Sequence, residues 1–366
     1  MIYFILFLTA AVLSSIFVPL VQYFAFKTGV LDIPSSPRKI HKKPTPLLGG
    51  FAVYAGFALT LWLYISRFHP DFLIVPARFY WALVLGGIVL MIGGYVDDRF
   101  NLPPRFSFVA PVIAVLILIF TGIGVGINQL SNPFGRPINL AFHVLGMPFS
   151  AIFVFLFVLG MIYTTKFLDG MDGLASGVSF IASFALFLLS FTPKVNQPIT
   201  ASLAIIFCGA LLGFLFYNFN PASIFLGESG STFLGFMLGA FSVLLGGKIA
   251  TAILVMGIPI LDVAWVIFRR LWFGASPFQA DRKHLHFRLL DIGFSQKQTV
   301  LILYAIAAVF GLVAVFLQSM GKLVALLILL VVMIGLAIST VLVYNRKQQQ
   351  AADYQQQEFD NSPDKV

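Results

Sequence analysis

Apolar runs of about 18 to 22 residues recur along this chain from one end to the other, and no soluble domain separates them. A run of this length crosses the hydrocarbon core of a bilayer as an α-helix, because every backbone polar group must be paired within the protein. Only 10% of the 366 residues are charged and the mean hydropathy is +0.96. No water-soluble domain of this size tolerates such a surface. The sequence therefore predicts an all-α, polytopic integral membrane protein.

The apolar runs predict about 11 transmembrane helices. They cover about residues 2–26, 48–65, 79–95, 107–124, 149–165, 174–191, 200–217, 232–246, 249–268, 298–318 and 322–344. The first run has neither a basic start nor a small-residue cleavage site, which indicates a retained helix rather than a signal peptide. Residues 1–344 are thus predicted to form one membrane domain. The Gln-rich stretch 345–366 is predicted to be a disordered cytoplasmic tail.

The distribution of positive charge predicts the orientation in the membrane. Of the 23 Lys and Arg residues, 17 fall on the side that carries the basic loop from Arg38 to Lys43. By the positive-inside rule this side is cytoplasmic, so that the N-terminus lies outside and the C-terminus lies in the cytoplasm. The net charge of +9 therefore reflects membrane orientation, and nucleic acid is not an expected partner. The single cysteine, Cys208, excludes a disulfide within the chain.

The stretch from Lys166 to Gly173 places an amine and two carboxylates between two apolar runs. Asp169 and Asp172 stand at positions i and i+3, which project from the same side of a helical turn. A glycine follows each of them and lets a bulky ligand approach the backbone. The pattern predicts a site for phosphate and cations. The structural alternative is a pair of Asp-Gly turns that only link two helices.

Further charged groups fall on the same predicted inner face. Its carboxylates are Asp97, Asp98, Asp169, Asp172, Glu228, Asp262, Asp281 and Asp291. A carboxylate at the bilayer centre costs about 2.5–3.5 kcal/mol, so these groups are expected to face a wet cavity. Phosphoryl transfer uses such a mixture of charges, because positive groups and often a divalent ion neutralise the phosphate oxygens. His284 and His286 lack the i, i+4 spacing of a helical zinc pair.

Five ordered blocks of residues lie on this predicted inner face. They are Arg38-Lys39-Ile40-His41 with Pro44-Thr45-Pro46 and Gly49-Gly50; Asp97-Asp98; Asp169-Gly170-Met171-Asp172-Gly173-Leu174; Asn220-Pro221-Ala222 with Gly227-Glu228-Ser229-Gly230-Ser231; and Pro277-Phe278 with Ala280-Asp281-Arg282 and His284-Leu285-His286. In this order they resemble the polyprenyl-phosphate N-acetylhexosamine-1-phosphate transferases of glycosyl transferase family 4. The resemblance covers about residues 1–344. The His-Leu-His block favours the undecaprenyl-phosphate N-acetylglucosaminyl branch over the muramoyl-pentapeptide branch.

The resemblance implies an activity. A polyprenyl (undecaprenyl) phosphate oxygen attacks the β-phosphorus of a UDP-sugar, which releases UMP and leaves a polyprenyl-diphospho-sugar in the membrane. Enzymes of this family start cell-surface polysaccharides such as O-antigen and teichoic acid linkage chains. The implied place is the inner (plasma) membrane, with the site facing the cytoplasm. The implied partners are the UDP-sugar, the polyprenyl phosphate and the lipid bilayer, and a homodimer is left open.

Site roles carry over from the resemblance. Asp97 and Asp98 match an aspartate pair that engages the acceptor phosphate, and Asp169 and Asp172 match the central acidic block, with Asp172 on the uracil side. The remaining matches are Lys42 near the nucleotide, Phe225 stacked on uracil, and Arg282, His284 and His286 at the diphosphate. A phosphate monoester is already largely dianionic at neutral pH, so we expect Asp97 to position the acceptor rather than to remove a proton. The resemblance assigns no role to Asp262.

Two departures concern the metal that the resemblance implies, which is Mg²⁺. Glu228 stands where the family has an aspartate that holds magnesium, and Lys166 stands where it has an asparagine. A lysine ammonium cannot ligate a metal. One hypothesis is that Lys166 pairs with Glu228 and replaces the ion wholly or in part. The other is that Lys166 turns away and magnesium binds through Glu228.

Two other functions remain open at this stage. A membrane transporter would carry polar residues at membrane depth along its helices, whereas here they collect at one face. The second alternative is a relative of this family that uses an altered donor or has no activity. Lys166 and Glu228, at the positions where a metal is expected, suggest it.

Overall fold

A computed structural model describes residues 1–34, 43–67, 76–124, 127, 129–130, 132, 134–144, 146–193, 195–246, 249–272, 274 and 284–360. The helices are α1 (Ile2–Thr28), α2 (Gly49–Arg67), α3 (Ala77–Phe100), α4 (Pro104–Ser107), α5 (Val109–Phe120), α6 (Phe149–Leu168), α7 (Leu174–Ser190), α8 (Pro198–Asn218), α9 (Gly227–Leu244), α10 (Ile249–Val255), α11 (Gly257–Trp272), α12 (Leu285–Asp291), α13 (Gln296–Phe316) and α14 (Ser319–Asp360). The all-α prediction is confirmed.

Short antiparallel ladders of two residues per strand join parts of the loops. They pair β1 (Leu31–Asp32) with β2 (Thr45–Pro46), β3 (Gln129–Leu130) with β4 (Ile138–Asn139), and β5 (His143–Val144) with β6 (Met147–Pro148). In the last two ladders, parts of the segment between α5 and α6 turn back on themselves.

Within the described ranges, seven helices are long and apolar enough to cross a membrane, and α10 with α11 would make an eighth span. The seven are α1, α2, α3, α6, α8, α13 and the apolar part of α14. The other predicted runs coincide with shorter apolar helices (α5 with α4, and α7) and with α9. The structure thus supports a multi-pass membrane protein, and each of the predicted runs forms helix.

One predicted span is broken. The run at about 249–268 was expected to form a single helix, but α10 and α11 meet at an angle of 80°. Pro259 is the third residue of α11 and has no backbone N–H to donate to the residue four positions earlier. The bend turns α11, which carries Asp262, away from the direction of α10.

The C-terminal helix extends beyond the predicted span. α14 continues to Asp360, so residues 345–360 are helical where the sequence predicts disorder. Gln, Ala, Lys and Glu are good helix formers, and low hydropathy marks the end of a membrane span rather than the end of a helix. Residues 361–366 lie outside the described residues.

α9 lies at the centre of the bundle and contacts α2, α3, α6, α7 and α8. Its small residues allow this close packing. An added Cβ at Gly235, for example, would meet the carbonyl oxygen of Met161 in α6. The rings of Phe233, Phe236 and Phe241 fill the space between the helices and are fully buried. The first turn of α9 is therefore surrounded by the ends of its neighbours.

The helices around this turn extend further than the apolar runs predict. α3 ends at Phe100 and includes Asp97 and Asp98 in its last turn, and α6 ends at Leu168 and includes Lys166. α9 begins at Gly227, so that Glu228 belongs to its first turn. Hydropathy marks only the apolar part of a helix, and these polar residues are helical ends rather than loops.

Candidate active site

A cavity of about 340 Å³ lies where the polar ends of α3, α6 and α9 meet. Its charged lining residues, among those that the structure describes, are Asp32, Asp98, Lys166, Asp169, Asp172 and Glu228. We call this the acidic cavity. Five carboxyl groups surround one ammonium group, which is the mixture that the sequence predicts for this face. Phe225 also lines the cavity, so most of the predicted site meets here.

Lys166 and Glu228 form an ion pair inside the acidic cavity. The Lys166 Nζ atom donates a hydrogen bond of 2.5 Å to Glu228 Oε1. Next to them, the Thr165 hydroxyl donates to the Ser231 carbonyl oxygen at 2.8 Å and ties the end of α6 to the start of α9. The structure thus contains the Lys166–Glu228 pair of the first of the two hypotheses, whereas replacement of the ion by Lys166 stays a prediction. The metal-ligating role expected of Glu228 stays a prediction.

The structure separates the two aspartates at the end of α3. The Asp98 carboxylate accepts the Glu228 backbone N–H, with N–O distances of 3.0 and 3.2 Å, and so lies at the N-terminus of α9, where the helix dipole favours an anion. Asp97 Oδ1 instead accepts the Leu102 N–H at 3.0 Å and stabilises the turn after α3. Asp98 therefore lines the acidic cavity, whereas Asp97 does not.

Backbone hydrogen bonds hold Phe225 at the cavity wall. Its N–H donates to the Pro46 carbonyl at 2.8 Å, and its own carbonyl accepts the Gly49 N–H at 2.9 Å. These bonds join the first and fourth sequence blocks. Gly50 makes the approach possible, because a Cβ there would collide with the backbone of Gly230.

Asp169 and Asp172 have different surroundings. Asp172 Oδ2 accepts the Asn220 side-chain amide at 2.8 Å and the Ala222 N–H at 3.1 Å, and Asn220 Nδ2 also donates to Gln296 Oε1 at 2.7 Å. Burial, followed by the negative charges of Glu228 and Asp172, raises the pKa of the Asp169 carboxyl to about 7. Near neutral pH this carboxyl is therefore only partly ionised.

The predicted histidines lie next to the acidic cavity rather than in its lining. His286 packs against Gly170, where an added Cβ would lie 2.7 Å from His286 Nε2. Its ring stacks on that of His284, with centroids 5.6 Å apart and planes inclined by 9°. Burial, reinforced by His284 and opposed by Asp262, lowers the pKa of His286 to about 4, so its imidazole is neutral at physiological pH.

Two of the predicted ligand contacts, Lys42 and Arg282, lie outside the described residues. Among the residues that are described, no three His, Cys, Asp or Glu side chains converge closely enough to hold a metal by themselves. Magnesium, however, usually keeps several waters and is bound by one or two carboxylates together with substrate phosphates.

Comparison with known proteins identifies the chain's relatives. Residues 80–246 match the family model described as glycosyl transferase family 4. The chain is 32% identical to a decaprenyl-phosphate N-acetylglucosaminephosphotransferase of Mycolicibacterium smegmatis, over 81% of this chain and 77% of that protein. The chain belongs to glycosyl transferase family 4.

Two further family 4 relatives have similar names. A probable undecaprenyl-phosphate N-acetylglucosaminyl 1-phosphate transferase of Bacillus subtilis is 29% identical, over 88% of this chain and 87% of that protein. An undecaprenyl-phosphate alpha-N-acetylglucosaminyl 1-phosphate transferase of Salmonella typhi is also 29% identical, over 82% of this chain and 80% of that protein. The resemblance found in the sequence blocks is confirmed.

Some site residues of this family 4 chain were not found by sequence reasoning. Asp32 lines the acidic cavity because β1 pairs with β2 and brings it beside the first block. Its signal was present, since it is the only acid in a basic loop. Gln296 gives no such signal, because its contact with Asn220 spans 76 residues. Asp262 was assigned no role from the sequence, and in the structure its carboxylate contacts His284 directly.

The raised pKa of Asp169 predicts a pH-dependent stability in this family 4 enzyme. An unfolded aspartate has a pKa of about 3.9. The stability contributed by the protonated folded form is thus fully present below that pH and is lost as the pH rises through about 7. We expect Asp169→Asn, which stays neutral, to raise the Tm of the purified protein by several degrees at about pH 8 and by less at about pH 5.

The matched control is Asp353→Asn, in the exposed end of α14. A gain in Tm that is equal at both pH values, or equal in the two variants, would contradict the raised pKa.

Proposed function

We propose that this chain transfers N-acetylhexosamine-1-phosphate from a UDP-sugar to a polyprenyl phosphate. The observation that carries the proposal is the acidic cavity, in which Lys166, Glu228 and the aspartates of two sequence blocks meet. The names of the relatives support it, because they include undecaprenyl- and decaprenyl-phosphate N-acetylglucosamine phosphotransferases. The product remains in the membrane as a polyprenyl-diphospho-sugar for surface polysaccharide synthesis.

The proposed place of the reaction is the cytoplasmic face of the plasma membrane. The charge bias supports this orientation, since 17 of the 23 Lys and Arg residues fall on the side that the sequence predicts to be cytoplasmic. With eleven spans, this orientation places the N-terminus outside and the C-terminus in the cytoplasm. α10 and α11 then form one broken span.

The donor is proposed to lie in the acidic cavity with its uracil between Phe225 and Asp172. Phe225 offers an aromatic face beside the cavity, and aromatic groups stack favourably on such faces. Asp172 is held by Asn220 and Ala222, so that its carboxylate is fixed rather than free to rotate. The diphosphate then lies toward Lys166 on one side and His286 on the other, with Lys42 and Arg282 as further proposed contacts.

In the proposed step, an oxygen of the acceptor phosphate attacks the β-phosphorus of the donor. A new P–O bond forms, the bond from that phosphorus to the bridging oxygen breaks, and UMP leaves with the electron pair. No base is required, because the acceptor phosphate is already largely dianionic. Asp98 is fixed at the N-terminus of α9 and orients the acceptor phosphate. Asp97 acts indirectly, because its carboxylate stabilises the turn after α3. The protein contributes mainly position and charge.

Magnesium is proposed as a cofactor on the ground of charge. Among the described residues, five carboxyl groups and one ammonium line the cavity, and an anionic diphosphate added to them needs more positive charge than Lys166 supplies. Asp169 and the Glu228 oxygen that faces away from Lys166 are the groups that would hold the ion. When bound, it would neutralise charge on the diphosphate oxygens. The residues fit a metal that is completed by the substrate rather than one held by protein alone.

The proposal is tested by transfer of radiolabel from UDP-sugars to polyprenyl phosphate in membranes that contain the full chain. We expect a labelled lipid product with at least one UDP-N-acetylhexosamine, accompanied by one equivalent of UMP. Asp172→Asn is expected to reduce the rate by about 100-fold or more, because it removes a charged group that the donor contacts. Asp97→Asn is expected to cost less, since Asp97 does not line the cavity.

The absence of a lipid product with every UDP-sugar supplied would overturn the proposal in favour of an altered or inactive relative. Equal losses for Asp97→Asn and Asp172→Asn would contradict the indirect role given to Asp97.

A further inference from the structure

Asp262 connects the bent helix α11 to the histidine segment. Its Oδ2 atom lies 2.8 Å from His284 Nδ1, and its Oδ1 atom accepts the Leu285 N–H at 2.8 Å. Both side chains are nearly buried, with exposed fractions of 12% for Asp262 and 10% for His284. One carboxylate therefore holds both the imidazole ring and the first residue of α12.

The contact fixes the state of the His284 ring. A carboxylate is only an acceptor, so the Nδ1 atom of His284 must carry the proton that lies between them. In the neutral ring this leaves Nε2 as an acceptor and directs it away from Asp262. The carboxylate also prevents the ring from rotating, as carboxylates do for histidines in metal sites.

A chain of contacts leads from Asp262 to the acidic cavity. The His284 ring stacks on Phe167, with centroids 6.4 Å apart, and on His286. His286 packs against Gly170, which itself lines the cavity. The His286 Nε2 atom is buried and has no hydrogen-bond partner among the residues that the structure describes. A buried imidazole nitrogen without a partner costs free energy unless a ligand satisfies it.

We infer that Asp262 is a positioning residue for the donor: by fixing the His284 ring, it holds the stacked His286 ring in place and so presents His286 Nε2 to the diphosphate of the UDP-sugar. This rests on the proposed function. The competing explanation is that Asp262 only starts α12 through the Leu285 N–H and has no influence on the ligand through His284.

A double-mutant cycle separates the two explanations. Asp262→Asn, His284→Ala and the double variant are compared with wild type for kcat, for KM and for the Kd of UDP-N-acetylglucosamine. We expect Asp262→Asn alone to raise KM and Kd by about 10-fold or more, as loss of such an orienting carboxylate does elsewhere. In the His284→Ala background the same change is expected to have almost no further effect, because the two residues act as a unit.

Two further variants separate a specific loss of donor binding from a general loss of structure. Asp291→Asn removes an exposed carboxylate from the end of α12, the helix that follows His284, and is expected to behave as wild type. His284→Asn keeps an N–H that can donate to Asp262 but lacks the ring that stacks on His286. The inference expects it to bind UDP-N-acetylglucosamine as weakly as His284→Ala, whereas a purely structural role expects near-normal binding.

An equal effect of Asp262→Asn with and without His284 would overturn the inference, and so would normal binding by His284→Asn. The wild-type rate tests the proposed function separately, since no turnover in wild type would contradict that proposal alone. The Kd cycle does not depend on turnover and still decides the role of Asp262.

Discussion

Lys166→Met is expected to lower kcat/KM by about 100- to 1000-fold, which is the usual effect of removing one preorganised charged or donor group from a phosphoryl or acyl transfer site. The variant keeps most of the side-chain volume but removes the ammonium that lies 2.5 Å from Glu228 Oε1. Glu228 is then left unpaired in a cavity that also holds Asp98, Asp169 and Asp172. The added negative charge repels the donor's diphosphate in both the ground state and the transition state.

A second substitution shows what the ammonium acts on. The double variant Lys166→Met/Glu228→Gln is compared with Glu228→Gln alone, because Glu228 is itself a proposed metal ligand. If Lys166 acts on the diphosphate, the double variant is slower than Glu228→Gln, and this is the result we expect. Equal rates in these two variants would show instead that Lys166 only compensates Glu228. Lys27→Met is the matched control, because Lys27 is exposed at the end of α1 on the same predicted side of the membrane.

A magnesium titration belongs to the same experiment. We expect a chelator to abolish turnover in the wild type and added magnesium to restore it, because one ammonium cannot balance five carboxyl groups and a diphosphate. Full turnover in chelator would mean that Lys166 and other basic residues replace the metal. Either result decides whether Lys166, paired with Glu228, replaces the metal ion.

Gly227→Ala is expected to destabilise the fold and to disrupt the site. Gly227 has a φ of +72°, which costs a residue with a Cβ about 1–2 kcal/mol. The added Cβ would also collide with the Leu47 carbonyl oxygen and lie 2.6 Å from Asp98 Oδ2. Such overpacking typically costs about 1–3 kcal/mol more. Displacement of Asp98 by about 1 Å is enough to reduce the rate by about 100-fold.

Gly246 provides a control with the same backbone conformation. Its φ is also +72°, but an added Cβ would meet no atom of the described structure within 4 Å. Gly246→Ala is therefore expected to lose only the backbone contribution in a thermal unfolding measurement, with nearly normal turnover. If the two alanine variants lose the same Tm and the same activity, the close approach of Leu47, Gly227 and Asp98 has no special importance.

Much of the membrane scaffold could be predicted from local sequence. The period and length of the apolar runs predicted helices, because backbone groups in a bilayer must be paired within the protein. The bend between α10 and α11 was missed, although Pro259 gives a physical reason for it. The helical extension of α14 was missed because hydropathy and helix propensity are different properties.

Only part of the site was predicted from the sequence. The blocks that carry Asp98, Lys166, Asp172 and Glu228 were identified, and the structure brings these four residues to one cavity. Asp97 was expected beside its neighbour in the site, but adjacent residues on a helix point about 100° apart, and its carboxylate turns to Leu102.

In the stretch from Lys166 to Gly173, some properties follow from the sequence alone and others only from the tertiary structure. The sequence alone determined its charges, its two Asp-Gly steps and its place between two apolar runs, because these depend only on the order of residues. The tertiary structure decided that Lys166 meets Glu228, 62 positions away, and that His286 closes against Gly170. Such contacts arise from the packing of α6 against α9 and of α12 against α13 and α14, and no local pattern encodes which helix ends will meet.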